Sequence, residues 1–291
     1  MSDTSTPLAG LPGADRTLLD RPPLELAIAE VRLISPASSI DDEAGLRIRD
    51  SLTSKGWHFP TLNVARAQHV AFTMGSGGAS QQVSDVASGW QMISGDGSTQ
   101  VTVMPESLVV QTMAYHRWSV SLRPLLEAAL EALAEALAPT LHQRIGLRYV
   151  NRFTDPDASS PASWSGRVSP ELLGAACHPL LGKHVRGAQE QVELSLEETS
   201  GALLRHGPFV DPGVANATSY LLDIDVFDGQ TARFDAATIV ERAEALNRTA
   251  AVLFQAALTP GFLRELQGSQ AEAGEGSLVA TPPAAGGREA L

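Results

Sequence analysis

The sequence predicts an α+β fold: two strand–helix–strands–helix halves joined in one largely antiparallel sheet, with long helices packed on one side. Three observations carry that prediction. Segments with strand character at 68–74, 82–94, 99–104 and 108–113 follow one another directly. Between them stand Gly75-Ser76-Gly77-Gly78, Gly95-Asp96-Gly97 and Pro105-Glu106-Ser107, which is the turn chemistry of an antiparallel meander. Two long segments, 124–137 and 235–258, carry apolar residues at helical spacing. Finally, the order strand, helix, several strands, long helix occurs twice. Glu30-Val31-Arg32-Leu33 answers Leu147-Arg148-Tyr149-Val150, and Arg117-Trp118 answers Arg233-Phe234, each ahead of a long helix.

Taken in order, residues 1–21 are Ser, Thr, Pro, Gly and Asp with few large apolar groups, the composition of a disordered tail. Residues 24–34 read as a strand buried on both faces, because Leu26, Ile28, Val31, Leu33 and Ile34 leave neither face polar. A helix follows from about Ile40, with Asp41 and Asp42 at its positive end, Leu46, Ile48 and Leu52 inward, and Lys55-Gly56 as its stop. In the helix at 124–137, Pro124 suits the first turn. Leu126, Leu130, Leu133 and Leu137 form a stripe, and Glu127, Glu131 and Glu135 face water. Residues 142–153 then form a strand, followed by a Pro/Ser/Asp loop at 155–165 and a short helix at 170–176. Strands are expected at 189–198, 202–206 and 219–227. Asp235 caps the second long helix, and Thr259-Pro260 opens a last short one. The halves span 22–154 and 155–267 of one integrated domain, two domains split near Asp155 being the rival arrangement. Residues 268–291 form a second disordered tail.

The strand at 142–153 is the centre of interest. Its period of two puts Arg144, Gly146, Arg148, Val150 and Arg152 on one face, and Ile145, Leu147, Tyr149, Asn151 and Phe153 on the other. Guanidinium groups that close must meet carboxylates, water or an anionic ligand. Asp223 and Asp225 alternate on one face of their own strand and are the natural cross-strand partners, at ~0.2–1 kcal/mol per pair. The alternative is an anion site. Central placement predicts that Arg148 is the least exposed of the three arginines.

The box Arg144-Ile145-Gly146-Leu147-Arg148-Tyr149-Val150-Asn151-Arg152 resembles the most characteristic segment of a sporadically distributed bacterial protein family. The Pro22-Pro23-Leu24-Glu25 entry into a strand is similar to that family's start. Gly89-Trp90-Gln91, Trp118, Leu222-Asp223-Ile224-Asp225-Val226 and the helix around Leu246-Asn247 and Leu253-Phe254 are similar to its later segments. The resemblance spans roughly residues 22–267 and supports the fold. It brings no activity, because the family's members carry none that transfers.

Composition narrows function mainly by exclusion. Apolar residues make up 43% and charged residues 19% of the 291, as in soluble globular proteins. A net charge of −12 argues against a partner bound by neutralising phosphates, so no nucleic acid is expected. No apolar run approaches the ~20 residues that span a bilayer, and Met1–Asp20 has no secretory pattern. Cys177 stands alone, which fits a reducing compartment; the expectation is a cytoplasmic protein without a membrane partner.

Catalytic and cofactor motifs read weakly. Cys177, His178, His184 and His206 match no paired zinc-ligand spacing, and His58, His69, His116 and His142 are equally scattered. Gly75-Ser76-Gly77-Gly78 lies between strands rather than before a helix, so it reads as a hairpin tip and not a phosphate loop. No nucleophile elbow occurs. Asp155 and Asp157 flank Pro156 as turn formers, or else line a site at the mouth of the arginine strand. No metal and no cofactor is expected. The leading expectation is a non-enzymatic adaptor with a protein partner; the apolar pair Leu278-Val279 in the last tail resembles a docking peptide only loosely, and an inert solvated tail is the favoured reading there. The alternative is a binder of, or enzyme on, a small anion held by Arg144, Arg148 and Arg152.

Overall fold

The structure, a computed structural model, describes residues 8, 10–35, 39–75, 78–211, 213 and 218–268, and for residues 68–87 the backbone alone. It is a mixed α+β fold with a large antiparallel sheet. Its elements are β1 (Leu24–Leu33), α1 (Asp42–Ser54), β2 (Thr61–Gly75), β3 (Gly78–Ile93), β4 (Thr99–Met104), β5 (Ser107–Thr112), α2 (Leu122–Leu137), β6 (Leu141–Phe153), β7 (Glu190–Ser195), β8 (Ser200–Val210), β9 (Thr218–Asp228), β10 (Ala232–Arg233), α3 (Ala236–Ala256) and α4 (Pro260–Gln267). The sheet order is β2-β3-β4-β5-β1-β6-β9-β8-β7, with β10 also on β6. Every pair of named strands is antiparallel. Among the described residues no helix is long and apolar enough to cross a membrane.

The arginine strand, β6, lies between β1 and β9, near the middle of this sheet. Its alternation puts Ile145, Leu147, Tyr149, Asn151 and Phe153 into the core. Ala27, Ala29, Val31 and Leu33 of β1 and Tyr220, Leu222, Ile224 and Val226 of β9 join the same core, and so do Leu126, Leu130 and Leu133 of α2 and Ile239, Ala243 and Leu246 of α3. The Tyr149 hydroxyl donates to Asn247 Oδ1 at 2.8 Å, so the strand is also tied to α3 by a polar bond.

Helix boundaries follow their caps. Asp41 accepts from Ala44 N at 2.7 Å, Asp235 from Thr238 N at 2.8 Å, and the Thr259 hydroxyl from Phe262 N at 3.3 Å. In α1 it is Ala44, Gly45, Ile48 and Leu52 that are buried, while Leu46, expected inward, is 41% exposed. Gly45 is required there: a Cβ would lie 2.6 Å from the indole of Trp90, whose Nε1 donates to the carbonyls of Ile40 and Asp41. Helix α2 ends at Ala138 in the left-handed conformation, and Glu131 and Glu135 reach Lys55 and Ser51 of α1 rather than water alone.

Four further expectations change. Residues 24–34 are not buried on both faces: Leu26 and Ile28 are only half-buried, because their side of β1 continues the polar face of β6. The loop at 155–165 contains a short 3-10 turn, Pro161–Trp164, that plugs the core. Trp164 is fully buried, donates to the Thr218 carbonyl at 3.0 Å and packs on Phe153, Tyr220 and Phe262. The expected helix at 170–176 is two 3-10 turns, Pro170–Leu172 and Gly174–Cys177. Residues 10–21, placed in a tail by their composition, meet α3 and α4. Asp15 N donates to Gln255 Oε1, Gln255 Nε2 returns a bond to the Asp15 carbonyl, and Arg21 N donates to the Leu266 carbonyl. The tail beyond Gly268, with Leu278 and Val279, lies outside the described residues, as do Ser76 and Gly77 of the hairpin tip.

Candidate functional site

On the face of the sheet away from that core, β6 brings its three arginines against carboxylates from both sides. Arg148 grips Asp223 of β9 with two parallel bonds, Nε to Oδ1 at 2.8 Å and Nη2 to Oδ2 at 2.7 Å. This is the fork geometry that favours arginine over lysine. The residue directly opposite Arg148 in the ladder is Asp225, so the pair is diagonal. Arg144 donates from Nη1 to Glu30 of β1 at 2.7 Å and, with longer bonds of 3.3 and 3.4 Å, from Nη2 to Asp225. Arg152 donates from Nε to Asp211 at 2.7 Å, again from Nη2 to the same carboxylate, and from Nη1 to Glu25 at 3.1 Å. Arg205 of β8 adds a bond of 3.4 Å to Asp223, and Arg32 one of 3.1 Å to Glu30. The face is therefore a charge-paired array of five arginines and five acids across β1, β6, β9, β8 and the loop after β8.

Burial divides the array. The carboxylates of Asp223 and Asp211 are 3% and 4% exposed, whereas the guanidinium side chains of Arg148 and Arg205 are 43% and 39% exposed. At Asp223 and Asp211 the anion sits in the sheet and the cations lie over it, whereas Glu25 and Glu30 are more exposed than the β6 arginines they meet. The Asp223 carboxylate holds Arg148 above the ordinary arginine value, and Asp211 and Glu25 do the same for Arg152. Asp211 is held below the ordinary aspartate range by the Ser219 hydroxyl at 2.7 Å, the Gly213 amide at 2.9 Å and Arg152. Asp225 differs: burial pushes its carboxyl up, and Arg144, Arg148 and Arg205 only partly offset that. It is the most loosely held acid of the group.

Arg148 is the most exposed of the three arginines of β6, and Arg144, at 20%, the least, contrary to expectation from position in the strand. Local space decides this. Gly146 leaves room for the Arg144 guanidinium, whose Nη1 would lie 2.6 Å from a Cβ there. Phe227, opposite Gly146 in the ladder, lies 5.0 Å under the same guanidinium. Gly201, on the other side of Phe227, clears space for the ring, which a Cβ would meet at 2.8 Å. Two glycines on flanking strands thus seat one Arg–Phe stack.

The structure brings Arg144, Arg148, Arg152, Asp223 and Asp225 together on one face. Glu25, Glu30, Arg32, Asp211, Arg205 and Phe227 complete the group and were not foreseen. Phe227 continues the alternation of Asp223 and Asp225, a signal present in the sequence; Asp211 lies in a loop with no period to reveal it. The other candidates do not join. Asp155 pairs with Arg167 and accepts from Asp157 N, as a turn former does. His178 Nδ1 accepts from the amides of Leu180 and Leu181, and His206 Nδ1 lies 3.0 Å from the Tyr220 hydroxyl in the core. Among the described residues no three His, Cys, Asp or Glu side chains are grouped to hold a metal ion.

No protein-family model matches the chain, and no curated protein matches it either. Among solved structures it aligns with the RNA triphosphatase Pct1 of S. pombe at 9% identity, over 84% of this chain and 85% of that one, with a TM-score of 0.12. The same enzyme in complex with the Spt5 CTD aligns at 9% identity over 88% and 85%, with a TM-score of 0.11. Scores this low carry no inference about fold or activity.

Proposed function

We propose that the protein is a non-enzymatic binding or assembly protein of the cytoplasm, an adaptor that meets a protein partner through the charge-paired face of its sheet. The observation carrying this reading is that every arginine of β6 is engaged by carboxylates, yet keeps 20–43% of its side chain accessible. Guanidiniums held in place by carboxylates present rigid donors at low entropic cost, and arginine is enriched where proteins meet. A net charge of −12 favours such a partner over nucleic acid. The test is copurification at near-native expression, comparing wild type with Arg148→Glu/Arg205→Glu. One defined partner recovered with wild type and lost with the variant supports the reading; recovery of the chain alone overturns it.

A second reading rests on Asp223, which serves both Arg148 and Arg205. One carboxylate for two guanidiniums leaves donors that a small carboxylate or phosphate would take. A thermal-shift screen with nucleotides, phosphosugars and carboxylates tests it, since a ligand raises stability by RT ln(1 + [L]/Kd). A rise that vanishes in Arg148→Met favours this reading over the adaptor.

The same proposal includes an internal duplication with the long helices on one side. Outward from the central pair, β1 is followed by β5, β4, β3 and an additional β2, and β6 by β9, β8 and β7. Helix α2 follows β5, and α3 follows β9 after the short β10. A pseudo-twofold between β1 and β6 accounts for that order, and for an arginine face at the junction of the halves.

A further inference from the structure

The two ends of the sheet are built differently. Strand β7 ends one side; it is short and carries exposed Glu190 and Glu193, with Glu197 and Glu198 just beyond it. Charged residues on a short edge strand block pairing with another sheet. Strand β2 ends the other side among the described residues, and its one charged residue, Arg66, lies in the half nearest the body. With β3 it forms a ribbon from Thr61↔Ile93 to Gly75↔Gly78, but β4 pairs with β3 only over Trp90–Ile93. The bridge Ser39↔Ser88 ties the base of the ribbon to the body. From Gln68 to Gly75 it stands beyond β4 as two strands, ~25 Å long at ~3.3 Å per residue. Two strands alone are marginally stable in water.

Residues 67–84 contain no Asp, Glu, Lys or Arg, in a chain that is 19% charged. Val70, Phe72 and Met74 occupy alternate positions of β2, where Val70 pairs with Val83, Phe72 with Gln81 and Met74 with Ala79. A neutral, unprotected edge on an acidic protein fits another neutral edge, and the other edge strand of this same sheet is acidic. A second β2 meets that requirement.

We propose that two copies of this chain pair edge to edge through β2, antiparallel about a twofold axis normal to the sheet, making one continuous sheet. That symmetry keeps both copies' faces in register and forces one residue to lie opposite itself. Centring it on Ala71 sets Val70 of one copy opposite Phe72 of the other, twice, an aromatic–branched pairing favoured across strands. The pairing is independent of what the arginine face binds.

Light scattering on the full chain tests it. The expected mass is twice 30.7 kDa, falling to one chain in Val70→Glu/Phe72→Glu, which brings four carboxylates together at the axis, while the melting curve of the body is unchanged. In a Cys177→Ser background, Ala71→Cys is expected to form a covalent dimer on oxidation, and Gln191→Cys on the opposite edge is not. A single-chain mass at every soluble concentration overturns the proposal. So does a dimer indifferent to the ribbon variants, or cross-linking through Gln191→Cys in place of Ala71→Cys.

Discussion

Arg148 stands over a carboxylate that is 3% exposed while remaining 43% exposed itself, and that asymmetry sets what its loss would do. Arg148→Met leaves Asp223 with only the longer bond from Arg205. A fully buried pair broken in this way costs ~3–5 kcal/mol. Solvent over Arg148 and the remaining guanidinium reduce that to about 1–3 kcal/mol, the range for a hydrogen bond to a charged group. Changing both residues, Arg148→Met/Asp223→Leu, should recover much of the loss in a denaturant titration, because no buried charge is left unmatched. The buried histidines give a pH prediction. His206 is 1% exposed with its Nε2 unpartnered, and burial lowers its titration below the ordinary 6.5 against the field of Glu190. Burial lowers His142 in the same direction, against a bond to the Arg233 carbonyl and the charge of Asp228. The unfolded chain takes up protons below about pH 6.5 and the folded one only at lower pH, so stability is full above 6.5 and declines as pH falls below it. His206→Gln should flatten the slope of melting temperature against pH below 6.5.

At the scale of elements, α2 contributes several fully buried leucines to the core. Leu130 is completely buried in α2, so Leu130→Ala should cost ~2–5 kcal/mol of unfolding free energy, measured by denaturant titration. Leu46→Ala in α1, at a position the sequence puts inward and the structure leaves 41% exposed, should cost under ~1 kcal/mol in the same assay. The contrast has a geometric origin. Helix α1 packs mainly on α2, with Trp90 of β3 filling the gap at Gly45, so its buried stripe is rotated toward Ala44, Gly45, Ile48 and Leu52. An apolar pattern gives a helix and its approximate face; the packing around Gly45 leaves Leu46 outside while Ile48 and Leu52 are covered.

For the molecule as a whole, the first residues contribute to the body. Leu8 and Leu19 pack on the core, and Asp15 bonds both Gln255 of α3 and Gln267 of α4. Deletion of residues 1–21 should therefore lower the melting temperature by several degrees, as a loss of about 1–2 kcal/mol does for a chain of this size. An unchanged melting curve would show that the contact adds nothing to stability.

The sequence by itself determined the class of fold, the caps at Asp235 and Thr259, and the two faces of β6, because these depend on short-range periodicity and on side chains bonding their own backbone. It also brought out Arg144, Arg148, Arg152, Asp223 and Asp225 as residues that alternate on their strands. Tertiary structure alone decided which carboxylate each guanidinium takes. The diagonal Arg148–Asp223 pair, the recruitment of Asp211 from a loop and of Glu30 from β1, and the folding of Arg144 over Gly146 onto Phe227 all depend on register between strands. Those strands are far apart in the chain, and register between them is fixed by the packing of the whole sheet, which no local pattern encodes.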